Sequence, residues 1–112
     1  MLAQMVELKV ATEFSEIPGP RKESEGTFSG EAFLKNYLRP RYLRAVKEGC
    51  PLLVDLDNVA GYPTSFLEEA FGGLAREFGP SPVEATLVLS CYDEPYISDE
   101  IKRYIREAGP GR

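Results

Sequence analysis

The sequence predicts an α/β domain, a mixed sheet of about four strands with helices packed on it, in the order β-α-β-α-β-α. Three observations carry this expectation. The run Leu52-Leu53-Val54 is unbroken and apolar, as in a strand covered on both faces. The segment Phe66 to Phe78 repeats its apolar residues at helical spacing. Strand-like and helix-like segments alternate along the chain, the pattern of layered α/β folds with parallel neighbours. At 112 residues the natural reading is one small domain, 1–112, with a loop at 15–28 and a short flexible tail at 109–112.

Each element has a local reason. Met5 to Phe14 alternates, with Val6, Leu8 and Val10 set against Glu7, Lys9 and Ala11. A period of two is that of a half-buried strand. Ser15 to Phe28 holds Pro18-Gly19-Pro20, Arg21-Lys22 and Glu23-Ser24-Glu25-Gly26. It has turn chemistry and no periodicity, so it reads as a long loop of the kind that carries function. Ser29 is placed to cap a helix, with Glu31 near its positive end. Phe33, Tyr37, Ala45 and Val46 form that helix's apolar face, Pro40 should kink or split it, and Gly49 ends it.

Pro51 to Asp57 reads as the second strand and Asn58 to Pro63 as a turn. Thr64 to Phe78 is an amphipathic helix, stopped by Gly79-Pro80. Val83 to Tyr92 reads as the third strand. Tyr96 to Ala108 is the last helix, with Ile97, Ile101, Ile105 and Ala108 on one face and Gly109-Pro110-Gly111 as its stop.

Composition narrows the chemistry. There are 13 basic and 18 acidic residues, a formal charge of −5, and no histidine. An acidic chain is a poor match to nucleic acid, which needs clustered Lys and Arg. Without histidine there is no imidazole base and no imidazole metal ligand. No window approaches the roughly 18 apolar residues of a membrane span. The first residues lack a basic region followed by an apolar stretch, so no signal peptide and a cytoplasmic location are expected. Cys50 and Cys91 form no CxxC pair and read as reduced, packed thiols. No cofactor and no metal are expected.

Sites in open α/β sheets lie beyond the carboxyl ends of the strands. Here those ends are Asp55-Leu56-Asp57, leading to Tyr62-Pro63-Thr64-Ser65, and Ser90-Cys91-Tyr92-Asp93-Glu94. Ser65-Phe66-Leu67-Glu68 has the form of a capping box, in which the hydroxyl and Glu68 satisfy helix N–H groups. Ser65 is also a candidate phosphoacceptor, since a phosphate at a helix start meets free amides. Glu68, Glu69 and Asp57 would oppose that charge. Gly72-Gly73 in mid-helix costs roughly 1 kcal/mol per glycine and implies close packing against something. Arg21, Lys22, Arg39, Arg41 and Arg44 read either as a solvated surface or as a local anion site.

Asp55-Leu56-Asp57-Asn58-Val59 resembles the DxDx(T/V) nucleophile motif of haloacid-dehalogenase-like phosphatases, in which paired acids attack phosphorus and hold magnesium. Ser90 and Lys102 would take that family's second and third motif roles. No final acidic pair follows on a further strand, and the chain is short for that fold.

The run Ser65-Phe66-Leu67-Glu68-Glu69-Ala70-Phe71-Gly72-Gly73-Leu74 resembles the SF-x-(D/E)-E-x-FGGL hallmark of a STAS-like bacterial family of unknown function. Gly26-Thr27-Phe28-Ser29-Gly30-Glu31-Ala32-Phe33 is similar to that family's SGE-x-F segment, and the resemblance runs from about residue 6 to residue 108. STAS domains proper include the anti-sigma factor antagonists, in which a GHKL-type kinase phosphorylates the second serine of a D-S-S-G turn. That serine falls on Ser65 and its neighbour on Thr64. The turn's Asp falls on Pro63 and its Gly on Phe66, so the turn itself is not preserved.

The resemblance implies a non-enzymatic regulatory or protein-interaction module, partnered with a GHKL-type ATPase or kinase, with no nucleic acid and no membrane. Ser65 and Thr64 are its candidate phosphoacceptors. Asp57, Tyr62, Phe66, Glu69, Gly72 and Gly73 are its candidate partner-binding residues. The alternatives are a magnesium-dependent phosphotransfer enzyme using Asp55 and Asp57, and a small-ligand sensor with Pro18 to Phe28 as its lid.

Overall fold

A computed structural model describes residues 4–108. Among the described residues three short strands form the sheet: β1 (Val6–Lys9), β2 (Leu52–Asp55) and β3 (Leu87–Ser90). Their order is β1-β2-β3 and both pairings are parallel. This corrects the expected count of about four strands and the expected mixed pairing. Two segments read as strand turn into helix part-way. After Lys9 the chain enters α1 (Val10–Glu13), where Glu13 folds back to accept the Lys9 amide. Residues before β3 form α6 (Pro80–Thr86), because Pro80 starts a helix as readily as it stops one when it takes the first helical position.

The register sets the two faces. Val6, Leu52 and Leu87 are partners in one row, and Leu8, Val54 and Leu89 in another. Within these rows Val6, Leu8, Leu52 and Val54 are buried against the helices. The alternate rows are Glu7, Leu53 and Val88, then Lys9, Asp55 and Ser90. None of these is buried, so β2 is covered fully on one face only. Leu53 is therefore half-buried, although the apolar run predicted cover on both sides.

A long helical stretch follows the loop. It comprises α2 (Gly30–Phe33), a π-helical turn (Leu34–Leu38) and α3 (Arg39–Glu48). Ser29 caps it as expected, its Oγ accepting the Ala32 amide at 3.0 Å. Pro40 does not split it. The turn before it widens, with the Arg39 amide bonded to the Leu34 carbonyl five residues back. A wider turn makes room for a proline ring that an α-helical turn would not accept. Gly49 ends α3 in the left-handed region at φ 67°.

The next stretch is built alike: α4 (Thr64–Leu67), a second π-helical turn (Glu68–Gly72) and α5 (Gly73–Phe78). The last helix, α7 (Tyr96–Glu107), buries Ile97, Ile101, Tyr104 and Ile105. Its expected stop at Gly109-Pro110-Gly111 and the tail at 109–112 lie outside the described residues. Phe33, Phe66 and Phe71 anchor the core. Phe14 sits among Phe28, Phe33, Tyr37 and Phe66, with ring centroids 5.1 to 5.9 Å apart.

Candidate functional site at the strand ends

Three chain segments meet beyond the carboxyl ends of β2 and β3. The β2 exit, Leu56 to Asn58, and the β3 exit, Cys91 to Glu94, are laced together by their own carboxylates. Asp57 Oδ1 accepts the Asp93 amide at 2.8 Å, and Asp93 Oδ2 accepts the Asn58 amide at 2.9 Å. Asp55 Oδ1 accepts the Asp57 amide at 3.0 Å, and Asn58 takes a left-handed φ of 66°. Such Asx turns let a short polar side chain stand in for a backbone partner. Tyr62 crosses beneath, its hydroxyl donating to the Leu56 carbonyl at 2.8 Å. Burial pushes the phenol pKa far up, with Cys91 and Asp55 adding to the effect, so Tyr62 stays a neutral donor.

This lacing bears on the phosphotransfer reading. Asp55 and Asp57 spend carboxylate oxygens on backbone amides. Among the described residues no group of three or more acidic or thiol side chains is arranged to hold a metal ion. Asp55 and Ser90 are register partners, while Lys102 is exposed on α7. Cys50 and Cys91 are free and half-buried, and burial pushes the Cys91 thiol up.

The third segment is the start of α4. Pro63 occupies the cap position with φ −60° and ψ 140°, and no side chain caps this end. Thr64 is exposed and Ser65 is half-buried in the first turn. The capping box expected at Ser65 and Glu68 is therefore not formed. The helix begins two residues earlier than that motif requires, and Glu68 is drawn elsewhere. Its carboxylate bonds Arg21 through one oxygen and Arg76 through the other. Glu69 bonds Arg21 at 3.1 Å and Lys22 at 3.3 Å.

The loop from Ser15 to Phe28 thus lies as a strap against this helix, held by Arg21 and Lys22. Its backbone is fixed too. Gly19 donates to the Phe28 carbonyl at 2.7 Å, Gly30 to Pro20 at 2.8 Å, Glu31 to Arg21 at 2.9 Å and Ala60 to Glu16 at 2.8 Å. Two of the three acids expected to repel a phosphate near Ser65, Glu68 and Glu69, already carry three cations between them, whereas Asp57 is engaged by a backbone amide. Burial raises the Glu68 pKa, but the hydrogen bonds from Arg76 and Arg21 outweigh it and hold the carboxyl below its usual range.

The remaining candidates separate cleanly. Phe66 is fully buried, which corrects its assignment to a partner surface. Gly72 is buried under the Glu68–Arg76 pair, where a Cβ would come within 2.7 Å of Glu68 Oε2, so it too serves packing. Gly73 faces Leu34, and a Cβ there would lie 2.8 Å from Leu34 Cδ2. Asp57 serves the turn, and Glu69 the strap. Arg39, Arg41 and Arg44 pair with Glu77, Glu13 and Glu48, so they form no common anion site. What reading the residues missed is the Arg21–Glu68 contact across 47 positions, for which the chain carries no local signal.

A family model described as a STAS-like domain of unknown function (DUF4325) matches residues 30–96, which take in both helical stretches, β2, β3 and the strand-end turns. No curated protein and no solved structure matches the chain.

Proposed function

The chain belongs to the STAS-like family of unknown function, and from that premise we propose that it is a non-enzymatic regulatory module that acts by binding a protein partner, with a GHKL-type ATPase or kinase as the partner class. The observation that carries this reading is the start of α4. Two hydroxyls, Thr64 and Ser65, stand in an uncapped first helical turn whose amides have no side-chain partner. A phosphate on Ser65 would meet those amides and the positive end of the helix. Of the charges that would resist it, Glu68 and Glu69 are already paired with Arg21, Lys22 and Arg76, which leaves Asp57. A partner kinase would supply the chemistry of phosphorylation at these hydroxyls.

The test is binding to ATPases or kinases encoded beside the chain, read by co-purification and titration. Ser65→Glu should change the affinity by about tenfold or more, roughly 1.4 kcal/mol, while Ser65→Ala should not. Intact mass of protein from its native host should show a phosphate that Ser65→Ala removes. No bound partner, together with no phosphate under any growth state, would overturn the reading.

A further inference from the structure

The two outer edges of the sheet are finished differently. On β1, Arg41 Nη1 donates to the outward Glu7 carbonyl at 2.6 Å, and the Lys9 amide is taken by Glu13. Among the described residues β3 is paired with β2 alone. The Ser90 carbonyl accepts the Leu56 amide at 2.8 Å, so Ser90 points its backbone groups toward β2. Successive residues of a strand point theirs to opposite sides, which turns the Leu89 N–H and C=O outward. Against β3 lies an open groove of about 570 Å³ that reaches over the open face of the sheet to Leu53 of β2 and is lined also by Val88, Leu89, Tyr92, Pro95 and Ser98.

The exposed surface there is apolar and aromatic: Val88 is 43 % exposed and Tyr92 86 %, and Tyr96, 60 % exposed, lines the next hollow along α7. Its rim is acidic where Asp93 and Glu94 follow Tyr92, while Asp99 and Glu100 share the neighbouring hollow with Arg103. None of these four is in an ion pair among the described residues, whereas most arginines are paired with glutamates elsewhere. Lys102 is exposed further along α7.

We propose that the outer edge of β3 is a docking site for an extended segment of a partner protein, which adds beside β3 as a fourth strand. The segment's chemistry is alternating apolar residues flanked by lysine and arginine. Main-chain bonds to Leu89 give such a segment its hold, the Leu53–Val88 surface its apolar contact, and the acidic rim its preference for cations. Tyrosine at the centre and charge at the border is the composition of a recognition surface. A second copy of this chain fits less well: its own stretch 87–94 carries two acids and no base, so self-pairing would leave the rim unneutralised. This inference rests on the interaction-module reading and adds where the partner binds and by what chemistry.

The test is selection of short random peptides displayed on phage against the full chain. The selected peptides should alternate apolar residues, carry net positive charge and lose affinity as salt is raised. Leu89→Pro removes the outward donor while keeping the ladder to β2, and should weaken binding by about tenfold or more. Val88→Lys changes only an exposed side chain and should do the same if Leu89→Pro does not fold. Glu94→Lys combined with Asp99→Lys should reverse the charge preference. Selected peptides without basic bias, or binding that ignores Val88→Lys, would overturn the edge assignment and leave the module reading standing. Concentration-dependent dimerisation abolished by Val88→Lys would also overturn it, in favour of a second copy. If neither peptides nor neighbouring gene products bind, both readings fall.

Discussion

Gly30 and Gly73 look alike in the sequence and differ in what surrounds them. A Cβ on Gly30 would lie 2.7 Å from the Phe66 carbonyl oxygen and 3.0 Å from Glu69 Cβ. A backbone carbonyl cannot step aside without moving α4. Gly30→Ala should therefore destabilise by about 2 kcal/mol, an overpacking cost that exceeds the helix-propensity gain of about 1 kcal/mol. At Gly73 the nearest atom is the end of the Leu34 side chain, 2.8 Å away, which can rotate. Gly73→Ala should lie within about 1 kcal/mol of the parent. Urea unfolding of both variants checks this, and equal midpoints for the two would refute the distinction. Glu68 adds a pH signature. Its folded pKa lies below the ordinary glutamate value of 4.5, so its pairing stabilises above the unfolded pKa and is lost as pH falls through the lower folded one. Glu13, held down by the hydrogen bond from Arg41, works in the same direction. Glu68→Gln should cost about 0.5–1 kcal/mol near neutral pH, allowing for solvent screening of partly exposed partners, and almost nothing well below pH 4.5. A cost that is the same at both pH values would show that charge plays no part.

At the scale of elements, the loop from Ser15 to Phe28 carries the sharpest expectation. Its bonds join it to the first turn of α2 and, through Glu16, to Ala60. Buried or shared amides exchange slowly, and the cost of opening them measures how firmly a segment is held. The Gly30 and Glu31 amides should therefore be protected from hydrogen exchange, and Arg21→Ala, which releases Glu68 and Glu69, should raise exchange and proteolytic cleavage in the strap. Unchanged protection in Arg21→Ala would assign the strap's order to its backbone bonds alone. The elements most legible in the sequence were those with strong local chemistry: β2 from its apolar run, the start of α2 from Ser29, the end of α3 from Gly49, and α7 from its isoleucines. The misread ones were decided by distant partners or by dual-purpose residues. Val10 continues the alternation of β1 and is buried in a helix instead. Pro80 reads as a stop and serves as a start. Ser65 and Glu68 spell a capping box, but Pro63 takes the cap and Arg21 takes the glutamate from 47 residues away. The strand-end turns were legible as a place, from where β2 and β3 end. The lacing of Asp57 to Asp93 was not, because nothing within either segment specifies the other.

For the molecule as a whole, size sets the margin. A domain of this kind is worth about 5–15 kcal/mol in total, and a short three-stranded sheet with helices on one face leaves little of it in the ladder. The core must carry the difference, and Phe66 is where its parts meet. It is fully buried, and its ring centroid lies 5.6 Å from Phe33, 5.9 Å from Phe14 and 6.3 Å from Tyr62. These residues come from α2, α1's end and the turn below the strand exits, so one side chain joins the strap's anchor, the first helix and the candidate site. Phe66→Ala should cost about 3–5 kcal/mol, a large share of the total. Because the cavity would open directly beneath Thr64 and Ser65, the loss should not stay local. Near-ultraviolet circular dichroism of the tyrosines should collapse together with the urea midpoint, in one transition. Tyr62→Phe, which removes only the hydroxyl bonded to the Leu56 carbonyl, should cost about 1–2 kcal/mol and leave the transition single. If Phe66→Ala instead lowers stability by less than Tyr62→Phe, the strand-end turn, and not the aromatic core, holds the candidate site in place.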